Sequence, residues 1–225
     1  MEIIFNGIYN QTILVSLLDS DTVYLGLDFL SDSQNRIRPL RFNAGIIPDR
    51  PSIDLSDASS SKPDLMGSFD DVLPQTVVTT VVDYKLSAVE LCYMPTVALV
   101  DNLRRTIVPD LRPKLSIATR LNLSEEMGVA FLEHYAGHLD WITFSINDVD
   151  DSVKRFFLEY DERVKIPYYI ALNNRLTESL PFFKERLSFR GLQIDVSSFL
   201  DKDNQSEAHV KEQADSVLKR FASLV

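Results

Sequence analysis

Two carboxylates and one thiol stand where side chains can do chemistry. Asp28 falls in the run Thr22–Phe29 and Glu90 in the run Ala88–Cys92. Both runs read as buried strands, and a carboxylate there needs a partner or solvent. Each is therefore a candidate site group, against the plainer reading of a salt bridge or, for Asp28, a side chain turned into the following loop. Cys92 is the one cysteine. Its ordinary role is a small buried hydrophobe, but a thiol can also replace a lost acid or base. His134 lies on the apolar face of a predicted helix and reads as packed. His138 ends that helix, where an imidazolium suits the dipole. No spacing of His, Cys and Asp suggests a metal site, and no cofactor is implied. The seven glycines form no phosphate-cradling motif.

The elements around these residues alternate. Thr22–Phe29, Thr76–Val82 and Trp141–Ser145 are nearly continuously apolar or β-branched, as parallel strands buried on both faces require. Ala88–Cys92, Lys114–Ala118 and Lys165–Ala171 are further candidate strands, the last interrupted by Pro167. Helices are predicted from Ser124, with Met127, Ala130, Phe131 and His134 on one face, and over Asp150–Tyr160 and Thr177–Leu187. The C-terminal run places Ala214, Val217, Leu218, Phe221 and Leu224 on one face. Strand–helix alternation implies a parallel α/β sheet. Residues 48–74, with Ser59–Ser61 at their centre, read as a polar, mobile loop.

Size and composition set the bounds. A chain of 225 residues has room for one (βα)8 barrel, so a single domain over 1–225 is expected. Hydrophobic residues make up 45%. The mean hydropathy of −0.04 and the lack of a long apolar run argue against a membrane span. Glu2 and the polar Asn6, Asn10 and Gln11 are wrong for a signal peptide. Net charge is −10, with 23 Lys and Arg against 33 Asp and Glu, so nucleic acid is not the expected partner. One cysteine cannot form an internal disulfide, which fits a reducing, cytoplasmic setting.

Several segments, in chain order, carry a resemblance to a known family. Ile4-Phe5-Asn6-Gly7-Ile8 is similar to a first strand ending K-I-C-G-I. Thr22–Phe29 resembles A-D-x-L-G-F-x-F, and Ser33–Ile37 the K-S-x-R-x-I turn that follows. Val89–Tyr93 is similar to V-Q-L-H-G, Asp140–Ser145 to D-x-L-L-L-D, and Leu172–Thr177 to L-A-G-G-L-T. Gly191–Asp201, with Asp195-Val196-Ser197-Ser198, resembles G-x-D-V-S-S-G-V-E. The family is phosphoribosylanthranilate isomerase. The resemblance implies a (βα)8 TIM-type barrel. It is irregular around strands two to four, because the family's helix between strands three and four has no space between Val82 and Val89.

The family reaction, an Amadori rearrangement, needs a general acid and a general base. The resemblance puts Asn6 at the position of the base, a Cys, and Ser145 at that of the acid, an Asp. An amide is no base at neutral pH and an unassisted hydroxyl is a poor acid, so the resemblance implies a barrel without the family reaction. The family's phosphate turns are altered as well. Asn174-Arg175 replaces Gly-Gly and Phe199 replaces a glycine, which predicts crowding of an anion. Arg175 could supply a guanidinium, and Ser197 and Ser198 could donate hydrogen bonds, unless they only cap a helix. Arg36 matches the family's turn arginine, against a default surface role.

A second resemblance, of Thr79–Pro95, Ile117–Arg120 and Asp140–Asp148 to the core of a radical S-adenosylmethionine enzyme, places Lys85, Val89 and Cys92 at three cluster cysteines. One thiolate cannot hold that cluster. The expectation from sequence is thus an isomerase-like pseudoenzyme that binds a small phosphorylated metabolite or a protein. Its ligand-binding set is Asp28, Arg36, Glu90, Cys92, Asn174, Arg175, Ser197 and Ser198. The alternatives are an active isomerase or lyase of a phosphorylated metabolite using replacement groups, and a non-catalytic interaction module.

Overall fold

Short apolar and β-branched runs extend as strands because both of their faces can be covered, one by the barrel interior and one by helices. They are β1 (Glu2–Ile8), β2 (Tyr24–Asp28), β3 (Asp64–Phe69), β4 (Ala88–Leu91), β5 (Ser116–Asn122), β6 (Trp141–Ser145), β7 (Tyr168–Ala171) and β8 (Phe189–Asp195). The computed structural model describes residues 1–18, 20–30, 37, 63–70, 73–107, 115–123, 127–172, 176–200 and 206–222. In it the strands close in sequence order as a parallel barrel. Closure pairs Ile3 with Leu192 and Phe5 with Ile194, so the first and last strands are neighbours. The helices are α1 (Gln11–Leu17), α2 (Pro74–Asp83), α3 (Val97–Thr106), α4 (Val129–Leu132), α5 (Asp151–Arg163), α6 (Leu180–Lys184) and α7 (Glu207–Ala222). This is the (βα)8 architecture expected from the sequence. No helix among the described residues is long and apolar enough to cross a membrane.

The strand period of two divides the core. Ile3, Phe5, Leu25, Leu27, Ile142, Phe144, Leu192 and Ile194 belong to the cluster that packs against the helices. Ile4, Met66, Ala88, Ala118, Trp141 and Tyr169 form a separate cluster inside the barrel. Tyr24 stacks on Trp141 with ring centroids 5.3 Å apart. Alternate strands supply successive interior layers, as barrel geometry requires. Ile4, Met66, Ala118 and Tyr169 make one layer. Gly26, Glu90, Thr143 and Gln193 lie above it, then Asn6, Ser68, Arg120 and Ala171, with Asp28, Cys92, Ser145 and Asp195 at the rim. The apolar layer lies below the level of Glu90, and beneath it the Tyr169 hydroxyl donates to the Glu2 carboxylate.

Four sequence expectations change. Thr76–Val82 is helix, not strand. Pro74 starts α2 without losing a hydrogen bond, and Val77, Thr80 and Val81 bury one face. The third strand is instead Asp64–Phe69, inside the segment read as a polar loop over 48–74, while residues 48–62 and 71–72 lie outside the described ones. The helix thought to be missing between strands three and four is therefore present. β2, β3 and β4 pair without a register shift, whereas shifts occur between β1 and β2 and between β7 and β8. Finally, the helix after β5 buries Val129, Leu132 and Tyr135, leaving Phe131 and His134 exposed. His138 binds the Asp101 carboxylate at 2.9 Å.

Candidate functional site

Glu90 is wholly buried in the upper half of the barrel. Its Oε2 accepts from Arg120 Nη2 at 2.6 Å, from Ser68 Oγ at 3.1 Å and from Gln193 Nε2 at 3.1 Å. Its Oε1 accepts from Thr143 Oγ1 at 2.9 Å. Five strands thus contribute to one carboxylate, since β3, β4, β5, β6 and β8 all present inward-facing groups at adjoining levels. The Ser68 hydroxyl also lies 3.2 Å from Asn6 Oδ1, so one proton serves two acceptors and ties β1 to the cluster. Glycine at position 26 makes room for this. A Cβ there would lie 2.2 Å from Asn6 Oδ1.

In the Glu90–Arg120 ion pair the carboxylate is wholly buried and the Arg120 side chain is 21% exposed, so the attraction acts largely out of water and losing the cation is costly. Burial works against the Arg120 charge, but the adjacent Glu90 outweighs it and raises the guanidinium above its ordinary pKa. Cys92, on the strand of Glu90, is half-buried. Burial pushes its thiol up to about 12; Glu90 adds to the rise, Arg120 opposes it, and Asp28 and Asp70 add further. The thiol is therefore protonated at neutral pH.

Asp28 sits at the rim, almost buried, where its Oδ1 accepts from the Leu30 amide at 2.9 Å. Ser145 ends β6 and is partly exposed. At the end of β8 the Asp195 Oδ1 accepts from the Ser197 amide at 3.0 Å and the Ser197 hydroxyl at 2.6 Å. The Ser198 hydroxyl donates to the Asp195 carbonyl at 2.7 Å. This is an Asx-type cap of the 3-10 turn Val196–Phe199. Gly7, at φ +75, admits the carboxylate, since a Cβ there would lie 2.1 Å from Asp195 Oδ1. The Phe199 ring does not turn into the mouth to crowd an anion. It packs on Phe221 of α7, centroids 5.4 Å apart, with Arg220 over it. Arg36, Asn174 and Arg175 lie outside the described residues.

Of the sequence candidates, Glu90, Cys92, Asp28 and Asn6 come together in the upper barrel. Ser197 and Ser198 instead cap their own turn. Sequence reasoning missed Arg120, Ser68, Thr143 and Gln193. The strand-period signal extends to Arg120, since Ala118 and Arg120 alternate with Ile117 and Thr119, and β5 runs past the expected end at Ala118 to Asn122. Beside the mouth, a cleft of about 690 Å³ runs between the residues that follow β5 and β6. Leu123, Met127, Ile146, Asn147, Val153 and Phe156 are among its lining residues. Among the described residues, no group of His, Cys, Asp and Glu could hold a metal ion.

Neither a family model nor a curated protein matches the chain by sequence. Solved structures match over its whole length. The phosphoribosyl anthranilate isomerase of Thermotoga maritima superposes with a TM-score of 0.66 at 13% identity, covering 96% of this chain and 99% of that one. The enzyme of the same name from Thermus thermophilus gives 0.63 at 14%, covering all of both chains. The YdjI aldolase of Escherichia coli K12 gives 0.61 at 9%, covering 98% of this chain and 90% of its own. Such likeness speaks to fold, and one fold hosts many chemistries. The chain is a (βα)8 barrel with the fold of the phosphoribosylanthranilate isomerases.

Proposed function

We propose that this barrel binds a small molecule at its C-terminal mouth and does not perform the isomerase reaction. One observation carries the reading: the upper barrel is built around a buried ion pair, not around a pair of proton-transfer groups. An acid–base rearrangement needs two groups that exchange protons at the substrate. The positions resembling the family's base and acid hold Asn6, an amide bound to Ser68, and Ser145, a hydroxyl. Glu90 is wholly buried and hydrogen-bonded by four side chains. Cys92 is a protonated thiol near neutral pH. Barrels of this type carry ligand sites at this end, where the strands deliver side chains to variable loops. The adjoining cleft offers room for a ligand.

A second reading, an isomerase or lyase with replacement groups, has one observation in its favour. Asp28 places a carboxylate at the rim close enough to influence Cys92. Amide NMR with a panel of neutral and phosphorylated sugars and small acids tests the first reading. Saturable shifts in residues at the ends of β1, β4, β5 and β8 are expected. A panel that leaves those residues unmoved while a protein partner covers them would establish the interaction module instead.

A further inference from the structure

Two polar atoms at the centre of the Glu90 cluster stand out. Arg120 Nε and Gln193 Oε1 are both buried, and neither has a hydrogen-bond partner among the described residues. Gln193 is 98% buried, being only 2% exposed. Its amide orientation is fixed, because exchanging O and N would set Oε1 against Glu90 Oε2. Each atom belongs to a side chain that already binds Glu90 Oε2 through another atom, Arg120 through Nη2 and Gln193 through Nε2. One is a donor and the other an acceptor, on two side chains that bind the same carboxylate oxygen. Leaving both unmet is costly in a low-dielectric interior.

Water meets both needs and is the alternative that the test below decides; among ligand groups, elimination defines the one that suits them. A carboxylate or phosphate oxygen accepts from Arg120 Nε but cannot donate to Gln193 Oε1, and its charge would face that of Glu90. An ammonium donates to Gln193 but cannot accept, and it would face the Arg120 charge. A hydroxyl does both and brings no net charge. The ion pair already balances itself, and Ser197, the turn donor an anion would use, is engaged by Asp195. We infer that the barrel interior receives a hydroxyl of an uncharged polyol or sugar, entering from the mouth between Arg120 and Gln193. This rests on the reading of the mouth as a ligand site and names its ligand class.

The test follows the Arg120 Nε–H and Gln193 Nε2–H₂ signals in ¹H–¹⁵N spectra of the intact chain during titration with ribitol, D-ribose and D-ribose 5-phosphate. Ribitol or ribose should shift both signals saturably, and the phosphate ester should bind less tightly. Arg120→Lys keeps a cation for Glu90 but deletes the Nε donor. Gln193→Leu deletes the acceptor. In either variant, ribitol affinity should fall by about tenfold, with folding checked by circular dichroism. An Arg120 signal that shows a long-lived water and ignores every polyol overturns the inference, as does tighter binding of the phosphate ester. If the ester shifts the rim residues without touching Arg120 or Gln193, the mouth is still a ligand site and only the ligand class is wrong. If nothing tested or in the wider panel shifts the mouth, both readings fall.

Discussion

Glu90 and Arg120 define the residue scale. Their pairing explains how a carboxylate and a guanidinium are accommodated directly above the apolar layer of Ile4, Met66, Ala118 and Tyr169. Removing one partner of a buried pair costs far more than replacing both. Glu90→Gln leaves the Arg120 charge without its counterion and should destabilise the chain by about 3 kcal/mol in urea unfolding. Glu90→Met with Arg120→Met should recover most of that loss. If the double variant is no more stable than the single one, the pair is not the organising contact. Glu90 was identifiable in the sequence as a carboxylate within an apolar run. Its partners were not, because pairing depends on which residues of distant strands share a level. Ser68 lay in a segment that reads as loop, and Gln193 is an ordinary polar residue until β8 is known to face it inward.

The elements show where local signals sufficed and where they misled. Trp141–Ser145 is legible because an apolar, aromatic run of that length is short for a helix and fits a strand buried on both faces. Thr76–Val82 misled because Val and Thr favour strands, whereas their place after Pro74 and the burial of one side only made them a helix. β3 was hidden because Asp64–Phe69 is short and contains Gly67 and Ser68, and its partners on either side supply the hydrogen bonds that hold it extended. Links between helices and strands are just as specific. Asp161 of α5, almost buried, accepts from the Leu187 and Ser188 amides at 3.0 and 3.1 Å, and so fixes the entry to β8. Asp161→Ala should lower stability by about 2 kcal/mol by leaving two amides without their acceptor. Hydrogen exchange should show the loss first at Leu187 and Ser188; unchanged protection there would mean that the turn holds itself.

At the scale of the molecule, the fold was legible because alternation of elements and the order of the matched segments both demanded a closed βα sheet. The function is less legible because it resides in which side chains meet inside the closed sheet. Here they meet as an ion pair with hydroxyl and amide neighbours, which the proposed function reads as a ligand site without the isomerase reaction. The direct test is turnover. Purified protein, free of host isomerase, is incubated with phosphoribosylanthranilate, and product is quantified by chromatography against a buffer control. The predicted result is no conversion above the control, for this chain and equally for its Glu90→Gln variant. Conversion that scales with protein concentration and disappears in Asn6→Ala or Ser145→Ala would contradict the account, because it would show that those two positions still carry out proton transfer.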